Sequence, residues 1–366
     1  MKKTLIALAA FAATASFAQS TATISGNLDF ASVNVGGTQA ASKGSTITTL
    51  FGTSSTSVLR FIAVEDLGGG MRATAQYNFD PRTLSNDALG NTLNGSTDVT
   101  KLANTTTGLS RDELFVGLSG GFGNIRLGSP NSIGLNAWQP SSSLGTGIGS
   151  GYTGAGRSGT MSNSFVQTRY NRSVRYDSPV MGGFQVAVLY AAGNDQPAAG
   201  TTAQQIPNNR QATEIGLRYA AGPLTLAYAN VAQGAQTNAT GWYSSATLVN
   251  AAKTSANVFS ASYNMGATTL HAGMNDGNRL AAGTGGVAVD SKGSNIGITH
   301  NMGAIGLMAG MRSQKVGTVE SKVTGLRADY NFSKTTAAYV GYEKYDNGAA
   351  SANETTATSI GLRKSF

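Results

Sequence analysis

Met71, Ala73, Ala75, Tyr77 and Phe79 alternate with Arg72, Thr74, Gln76, Asn78 and Asp80. A two-residue period sends the two sets to opposite faces of a strand, one apolar and one polar. The pattern recurs along the chain in segments of roughly ten residues, the signature of a membrane β-barrel. The segments fall at Thr23–Val33, Val58–Val64, Met71–Asp80, Leu114–Leu118, Asn124–Gly128, Arg169–Asp177, Phe184–Tyr190 and Ile215–Tyr219. They continue at Leu224–Tyr228, Phe259–Tyr263, Leu270–Met274, Ile296–Ile298, Ile305–Met311, Leu326–Phe332, Val340–Tyr342 and Ile360–Phe366. Short glycine-rich turns such as Gly68-Gly69-Gly70 alternate with long polar connections.

No water reaches backbone groups in a bilayer core, so strands cross it only in a closed ladder. About sixteen antiparallel strands form a barrel wide enough for a water-filled lumen. The composition agrees: 40% of the residues are hydrophobic, 12% are charged and 48 are Gly. A soluble β-sandwich also alternates. It seldom pairs short turns and long loops so regularly, or ends on an aromatic strand.

Lys2 and Lys3 precede an apolar run, Leu5 to Phe17, that ends in Ser16-Phe17-Ala18. This is the layout of a secretory signal peptide over residues 1–18, with cleavage between Ala18 and Gln19. The run is too short for a transmembrane helix. The barrel domain is then 19–366. Loss of Lys2 and Lys3 leaves 24 basic against 18 acidic residues, a net +6. Export argues against nucleic acid as the partner of a basic chain. The chain has no Cys, so its stability owes nothing to disulfides.

The segment 131–164 has neither helical nor strand period. It is rich in Gly and Ser, lacks Asp and Glu, and carries one cation, Arg157. A loop this long is functional or disordered. Leu135, Trp138 and Tyr152 give it packing groups. It reads as a loop folded into a pore, and the lack of acids fits a pore for anions. Strand parity puts Arg60, Arg126, Arg169 and Arg175 on the lumen side with Arg157 from the loop. Arg72, Arg111, Arg218, Arg327 and Arg363 are weaker candidates. Rings of Arg favour anions, and Arg keeps its charge when partly dehydrated. The expectation is a throat of guanidinium groups without compensating carboxylates. A lumen arginine paired with Asp or Glu is the plainer alternative for any single position.

Enzyme chemistry has little to stand on. His271 and His300 are the only histidines, and no nucleophile motif accompanies them. No metal-ligand spacing, Walker-type loop or dinucleotide fingerprint is present, so no cofactor and no metal are expected.

The turn Glu65-Asp66-Leu67-Gly68-Gly69-Gly70, the block Val116-Gly117-Leu118-Ser119-Gly120-Gly121-Phe122-Gly123 and the block Ser173-Val174-Arg175-Tyr176-Asp177-Ser178-Pro179 stand in order along the chain. Together they resemble the general porins of β-proteobacterial outer membranes. The ending Gly361-Leu362-Arg363-Lys364-Ser365-Phe366 is similar to the signal, with its terminal Phe366, that such barrels present to the assembly machinery. The resemblance covers essentially the whole chain. It implies a sixteen-stranded barrel, a homotrimer, and an inward third external loop at 131–164. It further implies an arginine cluster at the constriction of an anion-selective pore. Val58 and Ile62 stand where the family often has arginines, with Arg60 between them on the same face. Leu127-Gly128-Ser129 replaces Leu-Gly-Arg, whereas Arg169 and Arg175 match.

The expected function is passive passage of small hydrophilic solutes and anions through an outer-membrane channel embedded in lipid. A channel specific for small organic or inorganic anions is one alternative. A surface adhesin or recognition barrel, using its long external loops, is another.

Overall fold

The computed structural model describes residues 20–38, 44–48, 53–79, 112–152, 168–193, 211–240, 247–280, 287–348 and 354–366. Its strands are β1 (Thr21–Gly37), β2 (Gly44–Thr48), β3 (Val58–Gly68), β4 (Met71–Phe79), β5 (Leu114–Gly120), β6 (Gly123–Ser129), β7 (Ser173–Asp177), β8 (Phe184–Ala191), β9 (Ala212–Ala221) and β10 (Leu224–Gln233). They continue with β11 (Gln236–Thr240), β12 (Thr247–Ala251), β13 (Thr254–Met265), β14 (Thr268–Leu280), β15 (Ala288–Met302), β16 (Ile305–Val316), β17 (Val319–Ser333), β18 (Thr336–Asp346) and β19 (Glu354–Ser365).

All but β2, β11 and β12 make a closed barrel of sixteen antiparallel strands. The first and last strands shut it. β1 pairs with β19 from Asn27↔Ser365 to Gly37↔Thr355. Below that ladder, Phe366 N–H donates to Gly26 O at 3.0 Å and Gly26 N–H donates to Phe366 O at 2.9 Å. The terminal residue thus leaves no frayed edge at the seam. β2 adds a short extra pairing to β1, and β11 and β12 form a separate hairpin in the connection after β10.

Parity decides what faces where. On β8, Phe184, Val186, Val188 and Tyr190 are exposed, while Ala187, Leu189 and Ala191 between them are buried. Ile360 is 63% exposed and Met274 62%, whereas Glu214 and Leu189 are 0% exposed. A soluble protein does not turn its large apolar side chains outward around a whole circumference. In lipid this is the stable arrangement, so the exposed face is the outer face and the buried polar face is the inner one.

Tight turns close one end of the barrel. At Gly68, Gly69 and Gly70, φ is +77°, +61° and +78°, three successive left-handed values that only glycine adopts without strain. The long connections lie at the other end. The exception there is the β16–β17 link, which is only Gly317 and Thr318.

Candidate pore constriction

The stretch after β6 opens on a short helix, α1 (Ile133–Trp138), followed by a 3-10 turn over Gln139–Ser141. Ser132 caps the helix, its Oγ accepting from Leu135 N–H at 2.9 Å. The next two amides point at the wall: Ile133 N–H and Gly134 N–H both donate to Glu214 Oε2, at 2.5 and 3.0 Å. Glu214 sits on β9 and is fully buried. Ile133, Leu135, Ala137 and Trp138 pack on the inner face of β8, β9, β10 and β13. That wall carries Ala187, Ala191, Ala212, Ala227, Ala229 and Ala256, small side chains that leave room for the helix. Gly216 is required here, since a Cβ on it would overlap Ile133.

Beyond the helix the chain follows the inner wall from strand to strand. Pro140 O contacts His271 Nδ1 of β14 at 2.9 Å. Ser141 O accepts from Asn295 Nδ2 of β15 at 2.6 Å. Ser143 Oγ donates to Ala309 O of β16 at 2.7 Å, and Leu144 O accepts from Arg327 of β17 at 3.2 Å. Gly149 N–H donates to Glu343 Oε2 of β18 at 2.7 Å. Ile148, 0% exposed, packs on Ala31, Val33, Tyr339 and Ala357. Residues 131–152 thus touch the inward face on most of the barrel's circumference. Residues 153–164, Arg157 among them, lie outside the described residues, as do Ala18 and Gln19.

Three of the arginines read from the sequence meet where this segment begins and ends. Arg126 on β6 and Arg175 on β7 are directly opposite each other in the ladder. Like charges so placed repel, and Asp177 relieves the clash by bonding both. Arg175 donates to its Oδ1 at 2.6 Å, and Arg126 pairs with its Oδ2. Arg175 also donates to Asn131 O at 2.6 Å and to Asn136 Oδ1, tying down the start of the segment. Arg126 lies 4.0 Å from Glu113 and over the Phe115 ring at 5.6 Å. Glu113 accepts from Asn131 N–H at 2.8 Å. Arg169 pairs with Asp112 and is bridged to Asn131.

The expectation of arginines without compensating carboxylates is therefore corrected for Arg126, Arg169 and Arg175. The acids come from the wall and from the end of the preceding connection, not from the glycine-rich loop. A signal was available: Arg175-x-Asp177 places both charges on one strand face, and Arg327-x-Asp329 repeats the device at 2.8 Å. Arg60, on the inner face of β3, forms no ion pair among the described residues, and Val58 and Ile62 flank it on that face. Phe366 stands at the seam.

Exposure divides most of the remaining inward charges, although Arg312, over the Trp138 ring at 5.7 Å, and Arg327 are buried like the acids. Asp29, Asp177, Glu214, Asp329 and Glu343 are all buried. Asp29 accepts from Ser54 N–H, Ser54 Oγ and Ser55 N–H at 3.0, 2.6 and 2.9 Å, which holds the end of the first long connection against the wall. By contrast Arg60 and Arg363 are half-buried, and Arg72 and Arg218 are exposed. Asp66, an exposed inward carboxylate, sits at the β3–β4 turn and bonds Gly68 N–H.

A closed barrel of sixteen strands with an apolar exterior and a charged, polar interior is a transmembrane barrel of the outer-membrane kind. The family model described as Gram-negative porin matches residues 4–350, and the chain belongs to that family. It is a family of outer-membrane channel proteins, not of enzymes. Outer membrane porin protein 32 of Delftia acidovorans is 34% identical over 203 residues, 54% of this chain and 51% of that protein. The curated relatives are matched over only 41 to 51% of their own length. Among solved structures, the anion-selective porin from Comamonas acidovorans superposes with a TM-score of 0.66 at 19% identity, covering 95% of this chain and 100% of that one. The trimer form of OmpT from Vibrio cholerae gives a TM-score of 0.64 at 14% identity, covering 95% of this chain and 99% of that one.

Proposed function

We propose that this protein is a diffusion channel for small hydrophilic solutes and that it prefers anions. The observation that carries the reading is the unequal exposure of its inward charges. Most inward carboxylates of the wall are buried and bonded to loops or arginines, the exception being exposed Asp66, which faces Arg72. Arg60 and Arg218, by contrast, reach water without an ion pair among the described residues, and Arg363 is half-buried 3.6 Å from Asp329. Ions in a hydrated pore respond to charge they approach closely, and buried, compensated charge counts for less. Residues 131–152 narrow the passage, and Arg126, Arg169 and Arg175, paired with Glu113, Asp112 and Asp177, fix the start of that loop to the wall.

The relative solved as an anion-selective porin supports this preference, and the OmpT trimer form supports a homotrimer. In this reading residues 1–18 are removed after export and Phe366 addresses the barrel to its assembly machinery. The test is the zero-current potential of the reconstituted channel between unequal KCl solutions. A potential of the sign set by chloride agrees with the proposal, and one set by potassium overturns it.

A channel favouring small organic anions is the second reading. Ile62 beside Arg60 gives an apolar contact next to a cation, which chloride cannot use. Partial block of chloride current by an alkyl carboxylate, lost in Ile62→Asn, would favour it over simple diffusion.

A further inference from the structure

Two inward segments meet inside the barrel, not one. The connection between β1 and β3 ends in residues 53–57, where Thr53, Ser54 and Ser57 are all buried. Short hydroxyl side chains and backbone amides make this stretch a row of donors. Asp29, on the inner face of β1, takes four of them on one oxygen. Ser54 N–H, Ser54 Oγ, Ser55 N–H and Ser55 Oγ donate to its Oδ2 at 3.0, 2.6, 2.9 and 3.2 Å. Tyr339 O–H donates to its Oδ1. Ser57 Oγ accepts from Asp29 N–H at 3.0 Å, and Asn27 Nδ2 donates to Thr56 O at 2.8 Å. Bonds from amide and hydroxyl alike to one carboxylate fix the main chain of the segment along with its side chains.

The tip of the 131–152 loop rests on this segment. Ile148 N–H donates to Thr53 O at 2.9 Å, and the Thr56 and Thr146 hydroxyls lie 3.4 Å apart. Arg327 on β17 holds both pieces, its Nη1 donating to Ser54 O at 2.9 Å and to Leu144 O at 3.2 Å. Arg363 on β19 donates to Ser54 Oγ at 2.9 Å. The approach is of main chain on main chain. A Cβ on Gly147 would stand 2.4 Å from Ser54 O and 2.7 Å from Arg327 Nη1. A Cβ on Gly149 would stand 2.4 Å from Gly325 Cα of the wall.

The two ends of the loop are therefore held by different means. At its start, Ile133, Leu135 and Trp138 pack on the alanines of the wall. Its tip, residues 143–150, reads Ser-Leu-Gly-Thr-Gly-Ile-Gly-Ser, with only Leu144 and Ile148 as large apolar groups. A chain with glycine at every second position has little conformational preference of its own. What fixes the tip is the surface that it lies against.

We propose that residues 53–57 are a second side of the constriction and that Asp29 is the positioning residue that sets its width, a role that rests on the reading of the protein as a diffusion channel and not on its preference for anions. Held by Asp29, Arg327 and Arg363, the segment keeps the loop tip back against β17, β18, β19 and β1. A tip released from that wall has only the lumen to move into, so loss of the clasp narrows the passage.

The test begins from a chain without Cys, in which Thr56→Cys/Thr146→Cys reports the contact alone. In the full barrel the pair closes under mild oxidation, read as faster migration of the denatured chain without reductant. The oxidised channel conducts as wild type does, because the bridge joins groups already in contact. Adding Asp29→Ala slows closure about tenfold. Asp29→Asn restores it, since the amide oxygen still accepts from the serines while its nitrogen donates to Tyr339 Oη. In vesicles, Asp29→Ala and Gly147→Ala each lower the permeation of raffinose relative to glucose about threefold. Gly121→Ala, at a turn where a Cβ meets nothing, leaves the ratio unchanged. Neutral sugars keep charge preference out of the result. A wild type that passes neither sugar contradicts the channel reading itself. A wild type that passes both, with a cysteine pair that stays open, overturns the role given to residues 53–57. So does a wild-type sugar ratio in Asp29→Ala and Gly147→Ala, or Asp29→Asn closing as slowly as Asp29→Ala. Should Asp29→Ala fail to fold, judged by its heat-resistant mobility, Gly147→Ala decides, because it leaves Asp29 and its bonds in place.

Discussion

The inner wall carries two kinds of arginine. At β6 and β7, Arg126 and Arg175 share Asp177, and Arg175 reaches on to Asn131 and Asn136. At β3 and β9, Arg60 and Arg218 point into the same lumen without an ion pair among the described residues. The first pair is architecture: its charge is spent on holding a loop to the wall. The second is available to a passing ion. Counting inward arginines therefore overstates the field in the pore, and counting inward carboxylates misstates it more, since nearly all of them are covered.

The clamped group should give the larger effects. Asp177→Leu leaves Arg126 and Arg175 facing each other half out of water and should destabilise the barrel by about 3–5 kcal/mol. The loss of heat-resistant electrophoretic mobility at a lower temperature would measure it. Unchanged resistance would mean that the pair is already hydrated. Next comes Glu214→Ala, which strips the acceptor from Ile133 N–H and Gly134 N–H and should cost about 1–3 kcal/mol per orphaned donor. The segment's first anchor goes with it, so single-channel records should become noisier. Records as quiet as wild type would show that wall packing alone holds α1.

Selectivity should move the other way between the two groups. Arg60→Ala with Arg218→Ala should reduce chloride preference more than Arg169→Ala, because Asp112 already offsets Arg169. Each exposed charge interacts with an ion at contact by only about 1 kcal/mol in water. Equal reductions would erase the distinction drawn here. The smallest effect is that of salt on the wild type. Its chloride preference should weaken as KCl rises from about 0.01 to 1 M, where the screening length falls from about 30 to 3 Å.

Much of the barrel was legible before any coordinates. The two-residue period marks the sixteen wall strands, since each must show lipid one face and water the other. Met71–Phe79 is the clearest case. The period failed where tertiary contacts set the structure. Helix α1 is only Ile133–Trp138, with Gly134 and Asn136 inside it, and its order comes from Ser132, Glu214 and the alanines of the wall. Leu135, Trp138 and Tyr152 were rightly read as packing groups: Leu135 and Trp138 are buried, and Tyr152 stacks on Trp138 with ring centroids 5.2 Å apart. The arginines' partners were legible only in part. Arg175 and Asp177 are two residues apart on one strand, a local signal. The Arg169–Asp112 pair spans a long connection that no period reveals.

The central claim is that exposed inward guanidinium groups, not the total count, set what the pore prefers. The most direct measurement compares zero-current potentials of wild type, Arg60→Ala/Arg218→Ala and Arg126→Gln in one KCl gradient at low ionic strength. The account predicts a marked shift toward zero in the double variant and a smaller one in Arg126→Gln. A double variant as anion-preferring as wild type would contradict it.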